Sequence, residues 1–151
     1  MEMEDTKDIL CIVPVFNDGE RLEKLLQVLK ARYQNLFIID DCSVDNSTTV
    51  IRDAWALPIC RHLPGDGVFA LYHEEHKGLR KTLLEALEMA ASAGFSDIRV
   101  VNPAAFSASD GSSVSAADVL SEEVGIRSLN LKKRNPRSLL FRMSVCRICG
   151  F

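Results

Sequence analysis

A chain of 151 residues, 47% hydrophobic and 26% charged, is expected to form one globular domain, long enough to bury about 68–70% of its unfolded surface. Its start, Met1-Glu2-Met3-Glu4-Asp5, is acidic, and no apolar run approaches ~18 residues, which argues against a signal peptide or membrane span and makes the cytoplasm the expected compartment. The net charge of −3 is unevenly spread, since residues 127–151 hold seven Lys or Arg and no acid; the acidic remainder argues against nucleic acid as a partner.

The first apolar run, Ile9-Leu10-Cys11-Ile12-Val13, reads as a buried strand and is followed by Pro14-Val15-Phe16-Asn17. Asn17 with Glu20 makes an Asx form of the capping box, and Leu22, Leu25, Leu26 and Leu29 follow at helical spacing, so a helix is expected from about Asp18 to Arg32. Leu36 to Ile39 is apolar on successive residues, the pattern of a parallel strand covered on both faces. It empties into Asp40-Asp41-Cys42-Ser43-Val44-Asp45-Asn46-Ser47. A short helix over Ser47–Trp55, closed by Pro58, comes next. His62 to Gly67 is turn chemistry, Val68 to Tyr72 a third strand, and Leu79 to Ala93 a helix that Gly94 stops. Ile98 to Val101 is a strand, Asn102 to Ser115 a loop, and Asp118–Val124 and Ser138–Arg147 are expected short helices. This alternation predicts a three-layer α/β/α domain, its mostly parallel sheet joined by right-handed crossovers.

In open α/β sheets ligands bind beyond the carboxyl ends of the strands, which is where the acids lie. Asp40, Asp41 and Asp45, with the hydroxyls of Ser43 and Ser47, are acceptors suited to ribose hydroxyls, a base N–H or a hydrated Mg²⁺. Capping of the following helix by Asp45 or Ser47 is the plainer use of the same residues. The five cysteines, Cys11, Cys42, Cys60, Cys146 and Cys149, are an odd number without a regular framework and read as reduced thiols. Cys60, His62, His73 and His76 match no standard zinc spacing, and Cys146-x-x-Cys149 has no partner pair.

Val-Pro-Val-Phe-Asn followed by Ile-Ile-Asp-Asp-x-Ser-x-Asp-x-Ser resembles the opening of family 2 glycosyltransferases, most closely the polyprenyl-phosphate sugar transferases. That resemblance implies a GT-A fold, which is Rossmann-like, and a nucleotide-sugar donor. It implies that Pro14, Val15, Phe16 and Asn17 flank the base, that Asp41 receives a base N–H or ribose hydroxyl, and that Asp45 supports that loop; Asp40 and Ser43 are expected to bind the nucleotide with them. Glu75-His76-Lys77-Gly78-Leu79 is similar to the family's Asn-x-Gly segment, with His76 in place of asparagine; Gly78 is expected to let a phosphate approach free N–H groups at the helix start. The family's metal-binding Asp-x-Asp pair is not intact. After the fourth strand the chain reads Val100-Val101-Asn102-Pro103-Ala104, and only Asp110 is left as a ligand for Mg²⁺ or Mn²⁺.

The resemblance further implies that this chain is truncated or internally deleted, and no catalytic base is assigned. The expected organisation is a nucleotide-sugar-binding domain over residues 1–126 and a basic segment over 127–151, within that domain or peripheral to it. Cations interleaved with apolar residues suit 131–151 to the inner face of an anionic membrane, beside a polyprenyl phosphate acceptor. The expected function is transfer of a sugar from a nucleotide-sugar donor to such an acceptor; the alternative is a catalytically impaired nucleotide-binding remnant.

Overall fold

The computed structural model describes residues 7–54, 56–58, 67–101, 103 and 126–131. Ile9–Val15 (β1) and Leu36–Asp40 (β2) are buried at every position. The reason is visible in where their side chains go. Cys11, Val13, Leu36 and Ile38 join one apolar cluster, whereas Leu10, Ile12, Phe37 and Ile39 join a second on the opposite face. Period-two side chains on a strand covered from both sides need no polar positions, which explains the unbroken apolar runs.

Each face is closed by the stripe that its helix presents. Leu22, Leu25, Leu26 and Leu29 of Gly19–Arg32 (α1), with Ile51 of Ser47–Asp53 (α2), close the first face. Leu83, Ala86, Leu87 and Ala90 of Leu79–Ser92 (α3) close the second. Gly94, at φ 91°, ends α3: its N–H bonds the Ala91 carbonyl, and the Phe95 N–H bonds that of Ala90.

With Leu57–Pro58 (β3), Val68–Tyr72 (β4), Asp97–Val101 (β5) and Ile126–Asn130 (β6), the sheet has the order β3-β4-β2-β1-β5-β6. β1 pairs in parallel with both β2 and β5, β2 with β4, and β4 with β3; β6 runs antiparallel to β5. The chain steps outward from β1 through α1, then returns from β4 to β5 through α3. Helices on opposite faces for opposite directions keep the crossovers of one hand. A mostly parallel sheet between two helical layers is therefore present, as the sequence predicted.

Three local differences have physical causes. The second helix ends at Asp53, and Leu57–Pro58 pairs with β4 as a two-residue edge strand, a place where proline's missing N–H is harmless. β6 was not anticipated, since Ile-Arg-Ser-Leu-Asn has no strand periodicity. Its pairing with β5, from Asp97 opposite Asn130 to Val101 opposite Ile126, sets its conformation, and Leu129 is buried on the α3 side. The first residues of the basic segment, 127–130, thus lie in the sheet. The helices expected at 118–124 and 138–147, the loop at 102–115 apart from Pro103, and residues 132–151 lie outside the described residues.

Candidate functional site

Three loops leave the carboxyl ends of the adjacent strands β1, β2 and β4, and each is tied to the next by side-chain hydrogen bonds. The β1–α1 loop (16–18) and the β2–α2 loop (41–46) clasp one another. The Asn17 N–H donates to Ser43 Oγ at 2.9 Å, and the Val44 N–H donates to Asn17 Oδ1 at 2.8 Å. The Asp18 N–H donates to Ser47 Oγ at 3.1 Å and the Gly19 N–H to Asp45 Oδ2 at 3.0 Å. The start of α1 is therefore satisfied by side chains 26 and 29 residues away. This corrects the expected capping box: Asp18, not Asn17, is the N-cap residue, and Asn17, at φ 55°, turns its amide toward the neighbouring loop. Asparagine tolerates that left-handed conformation better than most residues.

Within the β2–α2 loop, Asp40 and Asp45 serve the loop itself. Asp40 accepts from the Ser43 N–H at 3.1 Å and from Thr48 Oγ1 at 2.6 Å. Asp45 Oδ1 accepts from the Ser47 N–H at 2.9 Å, so its second oxygen caps α1 while the first caps α2. Burial pushes the Asp45 carboxyl up, but bonds from the Ser47 hydroxyl and N–H and from the Gly19 N–H outweigh it and hold the group below the usual carboxylate range. Asp18 goes the other way, raised by burial beyond what its bond from the Phe16 N–H and nearby Arg21 offset.

Asp41 joins the second loop to the third, 73–78. Sequence reasoning expected an open acceptor at a strand end; in the structure Asp41 is 3% exposed, and its carboxylate has three hydrogen-bond donors and the His76 ring beside it. Oδ1 accepts from the Lys77 N–H at 2.8 Å and from His73 Nδ1 at 2.7 Å. Oδ2 accepts from the Gly78 N–H at 2.9 Å and lies 2.8 Å from His76 Nδ1. Burial raises this carboxyl, yet the Lys77 N–H, His73, the Gly78 N–H and the His76 charge together carry it below the usual range. The N–H groups of Lys77 and Gly78, expected to await a phosphate, are thus engaged by Asp41, the anion that this helix N-terminus binds. Gly78 takes φ 91° and ψ 157° to aim its N–H there, a conformation that glycine alone adopts at low cost.

Glu85 was not singled out from the sequence, and His73 was weighed only as one of four zinc ligands whose spacing did not fit. His73 Nε2 lies 2.8 Å from Glu85 Oε1, and Lys77 Nζ lies 3.2 Å from Glu85 Oε2. Burial raises the Glu85 carboxyl, but the bonds from His73 and Lys77 prevail and lower it. The available signal was position: His73 directly follows an apolar strand, at the sheet edge that holds Asp40 and Asp41. Phe16 closes the group. Its ring is 45% exposed and lies 4.2 Å from that of His76, centroid to centroid, with 34° between the planes. Pro14 and Val15 lie in buried β1 beneath it.

The residues do not assemble every expected centre. Cys60, His62, Asp110 and Cys146 to Cys149 lie outside the described residues, while His73 and His76 turn to carboxylates. Among the described residues no group of three or more His, Cys, Asp or Glu is arranged to hold a metal ion, and the carboxylates of Asp40, Asp41 and Asp45 are engaged by N–H and O–H donors. The described residues therefore do not fit Mg²⁺ or Mn²⁺. No helix among them is long and apolar enough to cross a membrane.

No curated protein matches the chain. The family model described as "Glycosyl transferase family 2" matches residues 10–94, from β1 through the glycine that stops α3, and so takes in all three loops. That match covers more than half of the sequence and takes in β1 to α3 of the mostly parallel α/β unit: the chain belongs to glycosyl transferase family 2.

Proposed function

We propose that this chain binds a nucleoside diphosphate sugar in the crevice above β1, β2 and β4 and passes the sugar to an acceptor. One observation carries the reading: three successive strand-end loops converge on a half-exposed aromatic ring, Phe16, and a paired carboxylate, Asp41. A ring to stack on and a fixed acceptor beside it are what a nucleotide base needs for orientation. Pro14 and Val15 support the floor, Phe16 and Asn17 line it, Asp41 supplies the acceptor, and Asp40, Ser43, Asp45 and Gly78 hold the loops in register. In transfer, the bond between the anomeric carbon and the diphosphate oxygen breaks and a new bond to an acceptor oxygen forms. The nucleoside diphosphate departs with the bonding electron pair; an anionic phosphate oxygen attacks without a proton to lose, and a hydroxyl acceptor gives its proton to water. The acceptor suggested by the sequence resemblance is a polyprenyl phosphate at the cytoplasmic face of a membrane, approached by the cations of 131–151.

Titration calorimetry with UDP- and GDP-sugars, with and without Mn²⁺, is expected to give saturable binding. Radiolabelled sugar from the bound donor is expected to appear in a lipid phosphate acceptor. No binding under either condition overturns the reading; binding without transfer to lipid or water confines the chain to nucleotide binding.

A further inference from the structure

We infer that this chain holds the diphosphate of its donor without a divalent cation, and that Lys77 and Arg80, beside the start of α3, neutralise its charge instead. The inference rests on the nucleotide reading above and parts from the metal that the family resemblance implies. Mg²⁺ and Mn²⁺ need oxygens that can turn to them. At the carboxyl edge of the sheet, both oxygens of four carboxylates already face nitrogen or hydroxyl groups. Asp40 faces the Ser43 N–H and the Thr48 hydroxyl, and Asp45 the N–H groups of Ser47 and Gly19. Asp41 faces the N–H groups of Lys77 and Gly78, and Glu85 lies 2.8 Å from His73 Nε2 and 3.2 Å from Lys77 Nζ. Asp18 keeps one oxygen on the Phe16 N–H. A metal ion approaching this edge would meet proton-bearing groups, and taking their place would release the loops that form the crevice. The sequence that follows β5, Asn102-Pro103-Ala104-Ala105-Phe106-Ser107, brings no carboxylate to that strand end.

A diphosphate still needs positive charge, both to bind and to leave as an anion. Backbone N–H groups carry no net charge, and those of Lys77 and Gly78 are taken by Asp41. Lys77, Arg80 and Lys81 are exposed, and the first turn of α3 contains no acid. Cations there oppose the helix dipole, an arrangement that an anion bound outside the helix offsets. Arg80 makes no ion pair among the described residues, and neither do the exposed Glu74 and Glu75 at the far end of the loop. Its guanidinium offers a planar fork of donors that matches phosphate. Lys77, with 39% of its side chain exposed, is held only by Glu85 and can turn outward. It follows His76, whose ring lies 4.2 Å from that of Phe16, so it stands next to the ring on which the base would stack. In transfer the diphosphate oxygen keeps the electron pair of the anomeric bond, and the two side chains stabilise the charge that it gains.

The discriminating measurement is calorimetry of UDP and GDP with the unaltered chain, once in EDTA and once in Mn²⁺. The nucleotide that binds is expected to have the same Kd in both buffers to within about threefold, and a larger tightening by Mn²⁺ overturns the inference. Binding that requires Mn²⁺ sustains the nucleotide reading and overturns only this one; no binding in either buffer overturns both. Two variants then test the cations in EDTA, with uridine or guanosine titrated by NMR for comparison. Arg80→Gln breaks no bond among the described residues, and Lys77→Gln keeps the N–H that Asp41 accepts. Each is expected to weaken the nucleoside diphosphate roughly three- to tenfold and to leave the nucleoside unchanged. An equal loss for the nucleoside marks a merely structural effect and overturns the assignment of these side chains, as does an unchanged affinity for the diphosphate in both variants.

Discussion

His73 Nδ1 meets Asp41 Oδ1 at 2.7 Å, with 3% and 5% of the two side chains exposed. The other ring nitrogen lies 2.8 Å from Glu85 Oε1, so the imidazole bridges the two carboxylates. Because Asp41 lies between β2 and α2 and Glu85 on α3, this one ring fastens the second loop of the crevice to the helix of the third. It acts on the site through Asp41, as a positioning residue.

Replacing it leaves two carboxylates short of a donor, one of them buried. Breaking a buried charge pair on one side costs more than the pair contributes, because the remaining charge stays desolvated. His73→Ala is therefore expected to lower unfolding stability by about 2–4 kcal/mol, read as a fall in the urea midpoint with an unchanged slope. Asp41→Ala should cost a similar amount by leaving His73 and two helix N–H groups without their acceptor. Asp41 is enclosed and not an open loop residue, so its loss reaches the fold as well as the site. A loss below about 0.5 kcal/mol in both variants would show that the pair contributes nothing in solution.

Acid should dismantle the same clasp. Asp41, Asp45 and Glu85 are all held below their ordinary values in the folded chain. A carboxyl with a depressed folded value binds fewer protons folded than unfolded. Its stabilisation is complete above the unfolded value, about 4, and is lost as pH falls through the folded one. Asp18, raised on folding, runs the opposite way and offsets part of the loss. Urea midpoints measured from pH 7 to pH 3 should drop most steeply below about pH 4.5, and Asp41→Asn should flatten that drop. A midpoint that holds steady to pH 3 contradicts the clasp.

Much of this fold was legible because its signals are local. Two short unbroken apolar runs read as doubly covered strands, and Leu22, Leu25, Leu26 and Leu29 as a buried helical stripe. β6 was not legible: its five residues have no periodicity of their own and become a strand through the exposed edge of β5. The site divided along the same line. Asp40, Asp41, Ser43 and Asp45 could be found because they cluster in sequence at a strand end. That Asp41 would be enclosed by residues 32 to 37 positions away, His73, Lys77 and Gly78, depends on how α3 crosses the sheet, which no local pattern encodes.

Gly78→Ala isolates the geometry of the third loop. A Cβ there meets no atom within 4 Å, so any cost comes from the backbone angle of +91° and not from crowding. Holding alanine there costs of the order of 1–3 kcal/mol, or else the loop relaxes and withdraws the N–H from Asp41. The expected result is a loss of stability in that range together with weakened nucleotide binding. A variant as stable as the parent would mean that the loop does not hold this conformation.

The basic segment offers a test on membranes. Anionic and neutral vesicles at low and high salt should be compared for the intact chain and for a chain ending at Leu131, a boundary that keeps buried Leu129 in β6. Each cation near an anionic surface contributes about 1 kcal/mol. Pelleting with anionic lipid, weakened by salt and lost on truncation, is the expected outcome; equal behaviour of the two chains sinks the membrane contact.

The last prediction concerns a residue outside the network. Thr82 lies on the buried side of α3, is 1% exposed, and its Oγ1 has no hydrogen-bond partner among the described residues. A hydroxyl taken out of water without a partner costs roughly 1–3 kcal/mol in proteins. Valine has nearly the same shape, the same branching at Cβ and a similar helix propensity, so Thr82→Val removes the penalty without opening a cavity. It is expected to stabilise the chain by about 0.5–1.5 kcal/mol, raising the melting temperature by a few degrees. Thr82→Ser keeps the hydroxyl and deletes a buried methyl, and is expected to destabilise by about 1 kcal/mol. Should valine instead destabilise, the hydroxyl has a partner in solution; the carbonyl of Gly78, one turn earlier and already accepting the Thr82 N–H at 3.1 Å, is the acceptor within the helix.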